Sequence, residues 1–242
     1  VTSVNHHLQY LSGLLRWATR EEIMQGNPAE GLTLKKARRE SDERFVFNDD
    51  QLQHLLGTLW RDEDRVDRRW IPLIALWSGM RQEEICQLRH CDIVSKDDVY
   101  AFEVTSDAGS IKSISAERLV PIHPRLIDLG LLREVWCQDK VEPKKRLWPN
   151  LKKTSLGRYS NSFCKWFSRY KRKKGFEDKR YCFHSLRHNF IDAMKQNEVP
   201  EPVIRQLVGH REESITLGRY GKDYDLVKLN EYMKSVSFNP TP

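Results

Sequence analysis

Apolar positions along this chain recur mostly at helical spacing. Leu8, Leu11, Leu15 and Ala18 repeat every three to four residues, which predicts one long helix running to about Met24 and stopping at Gly26-Asn27-Pro28. One helix cannot bury its apolar stripe alone, so this segment is expected to belong to a further domain or to pack as an arm. Residues 29–44 carry Lys35, Lys36, Arg38 and Arg39 and few large apolar residues; they read as a linker, either a solvated tether or a strap for phosphates. A second pattern opens at Phe45. Asn48 ahead of Asp49, Asp50 and Gln51 predicts a helix start with a capping box, and Leu52, Leu55, Leu56 and Leu59 give that helix an apolar face. Residues 68–78 are apolar around most of the helix, including Ile71, Leu73, Ile74, Leu76 and Trp77, which predicts a buried helix. Ser78-Gly79 breaks it, and a short helix restarts near Arg81 with Ile85 and Leu88 inward.

Strand signals follow. Val99 to Val104 has strand propensity, and Leu119 to Ile122 is a second short run whose Pro121 marks an edge or a strand end. Ile111 to Ser115 is a candidate middle strand. Helical patterning resumes at Pro124 and continues through about 155–173, 184–196, 201–208 and 222–235. The predicted fold class is mainly α with a small antiparallel β-sheet (α+β), in a segment 1–44 and a main domain 45–242.

Composition narrows the function classes. Seven Trp and nine Phe in 242 residues exclude a disordered chain, and no apolar run approaches the ~20 residues of a membrane span. Lys and Arg number 41 against 34 Asp and Glu, a net charge of +7 that suits a polyanion such as nucleic acid. The five cysteines are odd in number and scattered without a CxxC pair, which points to a reducing compartment and supports neither a zinc ribbon nor a thioredoxin motif. Cys182, His184 and His188 lie close together, but two of the three have a better explanation than metal ligation. No signal peptide is visible. The first residue is Val rather than Met, so the chain is expected to be a piece of a longer protein.

Four short stretches carry candidate chemistry. Ser78-Gly79-Met80-Arg81-Gln82-Glu83-Glu84 delivers Arg81 from a glycine turn to the start of a helix, where an anion also feels the helix N-terminus. His184-Ser185-Leu186-Arg187-His188 places His184 and Arg187 on one helical face, a suitable phosphate clamp. Leu207-Val208-Gly209-His210 turns sharply after a helix and is followed ten residues later by Tyr220 in Gly218-Arg219-Tyr220-Gly221-Lys222. Lys112 lies six residues upstream of Arg118-Leu119-Val120-Pro121-Ile122-His123, in or beside a β-turn.

Together these resemble the tyrosine recombinases, the phage-integrase family. That family's order is Arg, Lys, His-x-x-Arg, His or Trp, then Tyr; here it reads Arg81, Lys112, His184, Arg187, His210, Tyr220. The Gly-Met-Arg-x-x-Glu, His-x-Leu-Arg-His and Leu-x-Gly-His elements match over roughly residues 45–236. Lys112 lies in a hairpin of variable length, with Lys96 as the fallback. The N-terminal helix ending Asn27-Pro28-Ala29-Glu30-Gly31-Leu32 resembles the last helix of the family's core-binding domain.

The resemblance implies a site-specific recombinase or integrase of a mobile element, cutting and rejoining double-stranded DNA through a 3′-phosphotyrosyl ester without metal or cofactor. It implies Tyr220 as nucleophile, Arg81 and Arg187 on the non-bridging oxygens with His210, Lys112 as general acid, His184 assisting proton movement at the tyrosine, and Glu84 as a supporting carboxylate. It also implies a homo-oligomer in the synaptic complex, a tetramer, from a chain that is a monomer in isolation, cytoplasmic and nucleoid-associated. A type IB topoisomerase and a DNA-binding protein that has lost catalysis are the alternatives. Residues 165–174 interleave cations with aromatics. As a helix, this stretch points Phe163, Trp166, Phe167 and Tyr170 inward and Lys165, Arg169, Lys171, Arg172 and Lys173 outward, the latter as candidate DNA contacts or as a solvated helix end. A final helix with Leu226, Leu229 and Met233 exposed would be a candidate to dock on a neighbouring protomer.

Overall fold

A computed structural model describes residues 2–35, 45–109, 117–136, 142–210 and 223–239. The chain divides into two compact units, Val1–Arg44 and Phe45–Pro242. The first holds α1 (Thr2–Arg20), followed by a return made mostly of turns and bends. The Asn27 amide donates to the Ser12 carbonyl at 3.1 Å, and Asn5 exchanges two hydrogen bonds with the backbone of Leu34. The return therefore runs antiparallel to the helix. Tyr10, Leu14 and Ile23 of this unit stand exposed.

The second unit opens with α2 (Asp49–Leu56), whose capping box forms as its sequence predicts: Gln51 N–H donates to Asn48 Oδ1 at 2.8 Å, and Asn48 N–H donates to Gln51 Oε1 at 2.9 Å. A single turn, α3 (Leu59–Asp62), leads to α4 (Val66–Ser78), which is buried from Trp70 to Ser78 and forms the central post of the core. The short α5 (Gln82–Cys86) follows.

Three antiparallel strands make the sheet in the order β1 (Ile93–Lys96), β2 (Val99–Val104), β3 (Arg118–Pro121). Ile93 faces Phe102, and Phe102 faces Val120. β2 is thus the middle strand, and Pro121 ends an edge strand. The candidate strand at Ile111–Ser115 lies outside the described residues. β1 was not expected from the pattern; it joins β2 through Asp97 and Asp98, whose φ angles of 52° and 59° are those of a primed two-residue hairpin turn.

After the sheet come α6 (Pro124–Asp128) and a π-helical turn at Leu132–Trp136. Gly130, at φ +93°, interrupts what the sequence reads as one helix. Then follow α7 (Ser160–Lys173), α8 (Phe183–Gln196), α9 (Glu201–Val208) and α10 (Leu226–Lys234). α8 packs along α4. α10 packs on β2 and β3; Leu226 is buried against Val99 and Ala101 of the sheet, and Leu229 and Met233 are buried in a cluster with residues of α8 and α9. The expectation of an exposed apolar face on this helix is therefore corrected: the sheet, α8 and α9 of the same chain cover it. Beyond α10, the His123 ring lies against Trp77 with centroids 4.3 Å apart, Phe238 meets Trp77 edge-on at 5.0 Å, and His123 Nε2 bonds the Val236 carbonyl at 3.1 Å.

Candidate active site

Two left-handed glycines end the helices that frame the site. α4 stops at Gly79, φ +64°, where a Cβ would fall 2.4 Å from Cδ1 of Phe190, so only glycine fits. α9 stops at Gly209, φ +66°, and delivers His210. Each turn leaves carbonyls without helical partners, and arginines from the other elements take them.

Arg187, on α8, donates through Nη1 to the Gly79 carbonyl at 2.6 Å and through Nη2 to the Val208 carbonyl at 2.7 Å. Its Nη2 also lies 2.9 Å from His210 Nε2. A guanidinium only donates, so Nε2 accepts here and the neutral His210 ring carries its hydrogen on Nδ1. Arg81 caps α5; its Nη1 donates to Glu84 Oε1 at 2.8 Å, its Nη2 to the Gly209 carbonyl at 2.8 Å, and its backbone N–H to Glu84 Oε2 at 2.8 Å. Arg81 and Arg187 thus both bond the turn at Gly209, and residues more than a hundred apart in sequence converge.

Charge is concentrated at this point. The Arg187 side chain is 2% exposed; burial pushes its pKa down to about 9, the Arg81 charge and then Arg118 push the same way, and Glu84 opposes them. Burial alone would raise the Glu84 carboxyl, but Arg118 and Arg81 hold it below its ordinary value. Of five guanidinium N–H donors each, Arg187 uses three and Arg81 two among the described residues. What remains is a cluster of cations with donors to offer, the electrostatic complement of a phosphodiester.

His184 stands one helical turn ahead of Arg187 on α8, exposed, with its ring edge-on to His188 at 4.8 Å. Among the described residues no group of three or more His, Cys, Asp or Glu converges to hold a metal ion. Lys112 and Tyr220 lie outside the described residues. Tyr224 is fixed to α9, where the Gln206 amide exchanges two hydrogen bonds of 2.9 Å with its backbone.

Comparison with known proteins decides the family. The model of the phage integrase family matches residues 46–226. The chain belongs to the phage integrase family. A tyrosine recombinase of Thermosipho africanus (strain TCF52B) is 20% identical over 215 residues, covering 89% of this chain and 70% of that protein. Among solved structures, a lambda integrase tetramer bound to a Holliday junction superposes with a TM-score of 0.62 at 16% identity, over 88% of this chain and 60% of that one. The Tn1549 transposon integrase in complex with circular intermediate DNA gives 0.66 at 16% identity, over 96% and 78%. The chain therefore spans 60% of the lambda integrase chain it resembles, and these likenesses establish the integrase catalytic fold: helices around a small antiparallel sheet.

Two features of this integrase-family site depart from the sequence reading. Lys171 does not point outward. It is buried, and its ammonium donates to the Phe176 carbonyl at 2.6 Å and the Asp178 carbonyl at 2.9 Å, whereas Lys165, Arg169, Arg172 and Lys173 are exposed. Arg118, to which the sequence reading gives no role, has its side chain buried against Glu84. The basic helix α7 is also tied to the site: both oxygens of Glu83 accept the N–H groups opening α7, from Tyr159 at 2.7 Å and Ser160 at 3.0 Å. Adjacent glutamates thus hold Arg81 and the start of α7. No helix among the described residues is long and apolar enough to cross a membrane.

Proposed function

We propose that this chain is the catalytic portion of a tyrosine-type site-specific recombinase that cuts and rejoins double-stranded DNA in the integration or excision of a mobile element. The observation that carries the reading is the convergence of Arg81, Arg187 and His210 on one phosphate-sized cluster in a chain of this family. The Tyr220 phenol oxygen attacks the scissile phosphorus, and the bond to the 5′-oxygen breaks. The product is a 3′-phosphotyrosyl ester and a free 5′-hydroxyl. Arg81 and Arg187 bind the non-bridging oxygens as charge gathers in the transition state, and His210 contributes a further hydrogen bond. Lys112 gives its proton to the departing 5′-oxygen, and His184 accepts and returns the phenolic proton. Glu84 holds Arg81. The ester keeps the energy of the broken bond, so rejoining needs no nucleotide triphosphate.

The first unit, residues 1–44, is the end of a core-binding domain in this reading. Lys165, Arg169, Arg172 and Lys173 contact the DNA backbone. Strand exchange takes place in a homo-oligomer, as the tetrameric lambda integrase on a Holliday junction suggests.

The test is covalent capture. The protein is incubated in EDTA with nicked duplexes of randomised sequence, so that the cut strand's short end is lost, and denatured complexes are recovered. Adducts formed at full yield in chelator support the reading. Adducts or cleavage that need added Mg²⁺ oppose it, and relaxation of supercoils by monomer without site preference favours a topoisomerase.

A further inference from the structure

Arg118 holds a place in the site that none of the roles above uses. It opens β3, the strand on which the described chain resumes after the segment bearing Lys112, and its side chain is 5% exposed. Its Nη2 donates to Glu84 Oε2 at 2.9 Å and its Nη1 reaches Glu84 Oε1 at 3.4 Å. Nε donates to the Leu207 carbonyl at 2.7 Å. The same group lies under Gly209, where a Cβ would come within 2.7 Å of Nη1 and 2.9 Å of Cζ. Each contact is one step from the phosphate cluster. Glu84 holds Arg81, the carbonyl after Leu207 holds Arg187, and the Gly209 carbonyl holds Arg81 again.

The charges explain why an arginine stands there. A buried carboxylate paired with Arg81 alone would neutralise the group meant for an anion. Shared between Arg81 and Arg118, Glu84 orients Arg81 while these side chains keep an excess of positive charge. The planar fork reaches both carboxylate oxygens and a carbonyl at once, which an ammonium cannot do.

We propose that Arg118 is a positioning residue for the phosphate-binding arginines: it sets Glu84 between itself and Arg81, and through Leu207 it fixes the turn that presents His210. It acts through these groups and not on the phosphate, from beneath the glycine turn. The proposal rests on the phosphodiester reading of the cleft.

It also makes a prediction for pH. Glu84 is faced by Arg81 at the head of its own helix, by Arg118 from β3, and by the charge of Arg187 from α8. Burial drives the carboxyl up and Arg118 is the foremost influence bringing it down. Without Arg118 the carboxyl protonates at higher pH and its hold on Arg81 loosens there.

The test compares wild type with Arg118→Met, Arg118→Lys, Glu84→Gln and the Glu84→Gln/Arg118→Met double variant. The readouts are adduct formation on the nicked duplexes, duplex affinity, and affinity for inorganic phosphate. Arg118→Met should slow adduct formation by about 10- to 100-fold at saturating DNA, as removal of an orienting partner does elsewhere, with duplex affinity within about threefold of wild type. Its acid limb should move to higher pH. Arg118→Lys should recover part of the rate, and the double variant should be no slower than Arg118→Met and lack the shifted limb. Unchanged rate in Arg118→Met, strictly additive losses, or a loss confined to duplex affinity would overturn the proposal. Should Arg118→Met fail to fold, Arg118→Lys carries the same comparison: an acid limb moved to higher pH supports the proposal and an unmoved one overturns it. If wild type forms no adduct, the recombinase reading fails by itself. Phosphate affinity then decides on Arg118: about tenfold weaker binding in the variant supports the positioning role, and equal binding overturns it.

Discussion

Arg187 of α8 donates to the carbonyl of Gly79 at 2.6 Å, joining residues 108 apart in sequence at the end of the central helix. The bond works only because the turn at Gly79 is left-handed and bare of a Cβ. Phe190, one turn along α8 from Arg187, fills the space a side chain would need.

Gly79→Ala is therefore expected to be costly. An alanine in the left-handed region loses roughly 1–2 kcal/mol, and forcing a methyl against Phe190 adds roughly 1–3 kcal/mol. Urea unfolding should show a total loss of about 2–5 kcal/mol. Glycine-to-alanine at Gly13 of α1, where a Cβ meets nothing within 4 Å, should be neutral or stabilising by comparison.

Much of this frame is legible in the sequence because it is local. The capping box at Asn48, the stop at Gly79 and the turn at Gly209 each follow from a few adjacent residues. Arg118 was not legible, because its meaning lies in a pairing between β3 and Glu84 of α5 and in burial that no periodicity reports. β1 is short and half polar, and its best signal is the Asp97-Asp98 pair between alternating residues. Lys171 was legible in principle: it lies four residues after Phe167 and eight after Phe163, on the apolar stripe itself. The stripe outranks the charge, and the ammonium is satisfied by two carbonyls.

That distinction is measurable on α7. Lys171→Met leaves the Phe176 and Asp178 carbonyls without their donor and should cost roughly 1–3 kcal/mol of stability, with little change in DNA affinity once folded. Lys165→Ala and Arg169→Ala should leave stability within about 0.5 kcal/mol. If these cations contact phosphates, each variant should lower the slope of log affinity against log salt by about 1. Urea unfolding and salt titrations of duplex binding separate the two classes.

The tail contact at His123 predicts a pH dependence. Arg125 N–H donates to His123 Nδ1 at 3.0 Å, so the neutral ring carries its hydrogen on Nε2, toward the Val236 carbonyl. Burial holds the His123 pKa below its ordinary value, against the opposing pull of the Val236 and Met233 carbonyls and Asp128. The unfolded chain therefore binds the proton first, and stability should fall as pH drops through about 6.5, levelling below the folded-state value. His123→Gln should flatten that part of the curve of unfolding free energy against pH. An unchanged slope would place the dependence on another group.

The most direct test of the central claim is the identity of the residue linked to DNA. Tyr170 is buried, its hydroxyl donates to the Leu55 carbonyl at 2.9 Å, and burial pushes its pKa up to about 12, so it is a core residue. Tyr224 has its backbone clamped by Gln206. Tyr220 is the expected nucleophile. Adducts from the nicked duplexes should be digested and the DNA-linked peptide sequenced by mass spectrometry. The account predicts a link at Tyr220, and a Tyr220→Phe variant that binds duplex DNA with wild-type affinity and forms no adduct. A link mapped to Tyr224, or an adduct persisting in Tyr220→Phe, would contradict it.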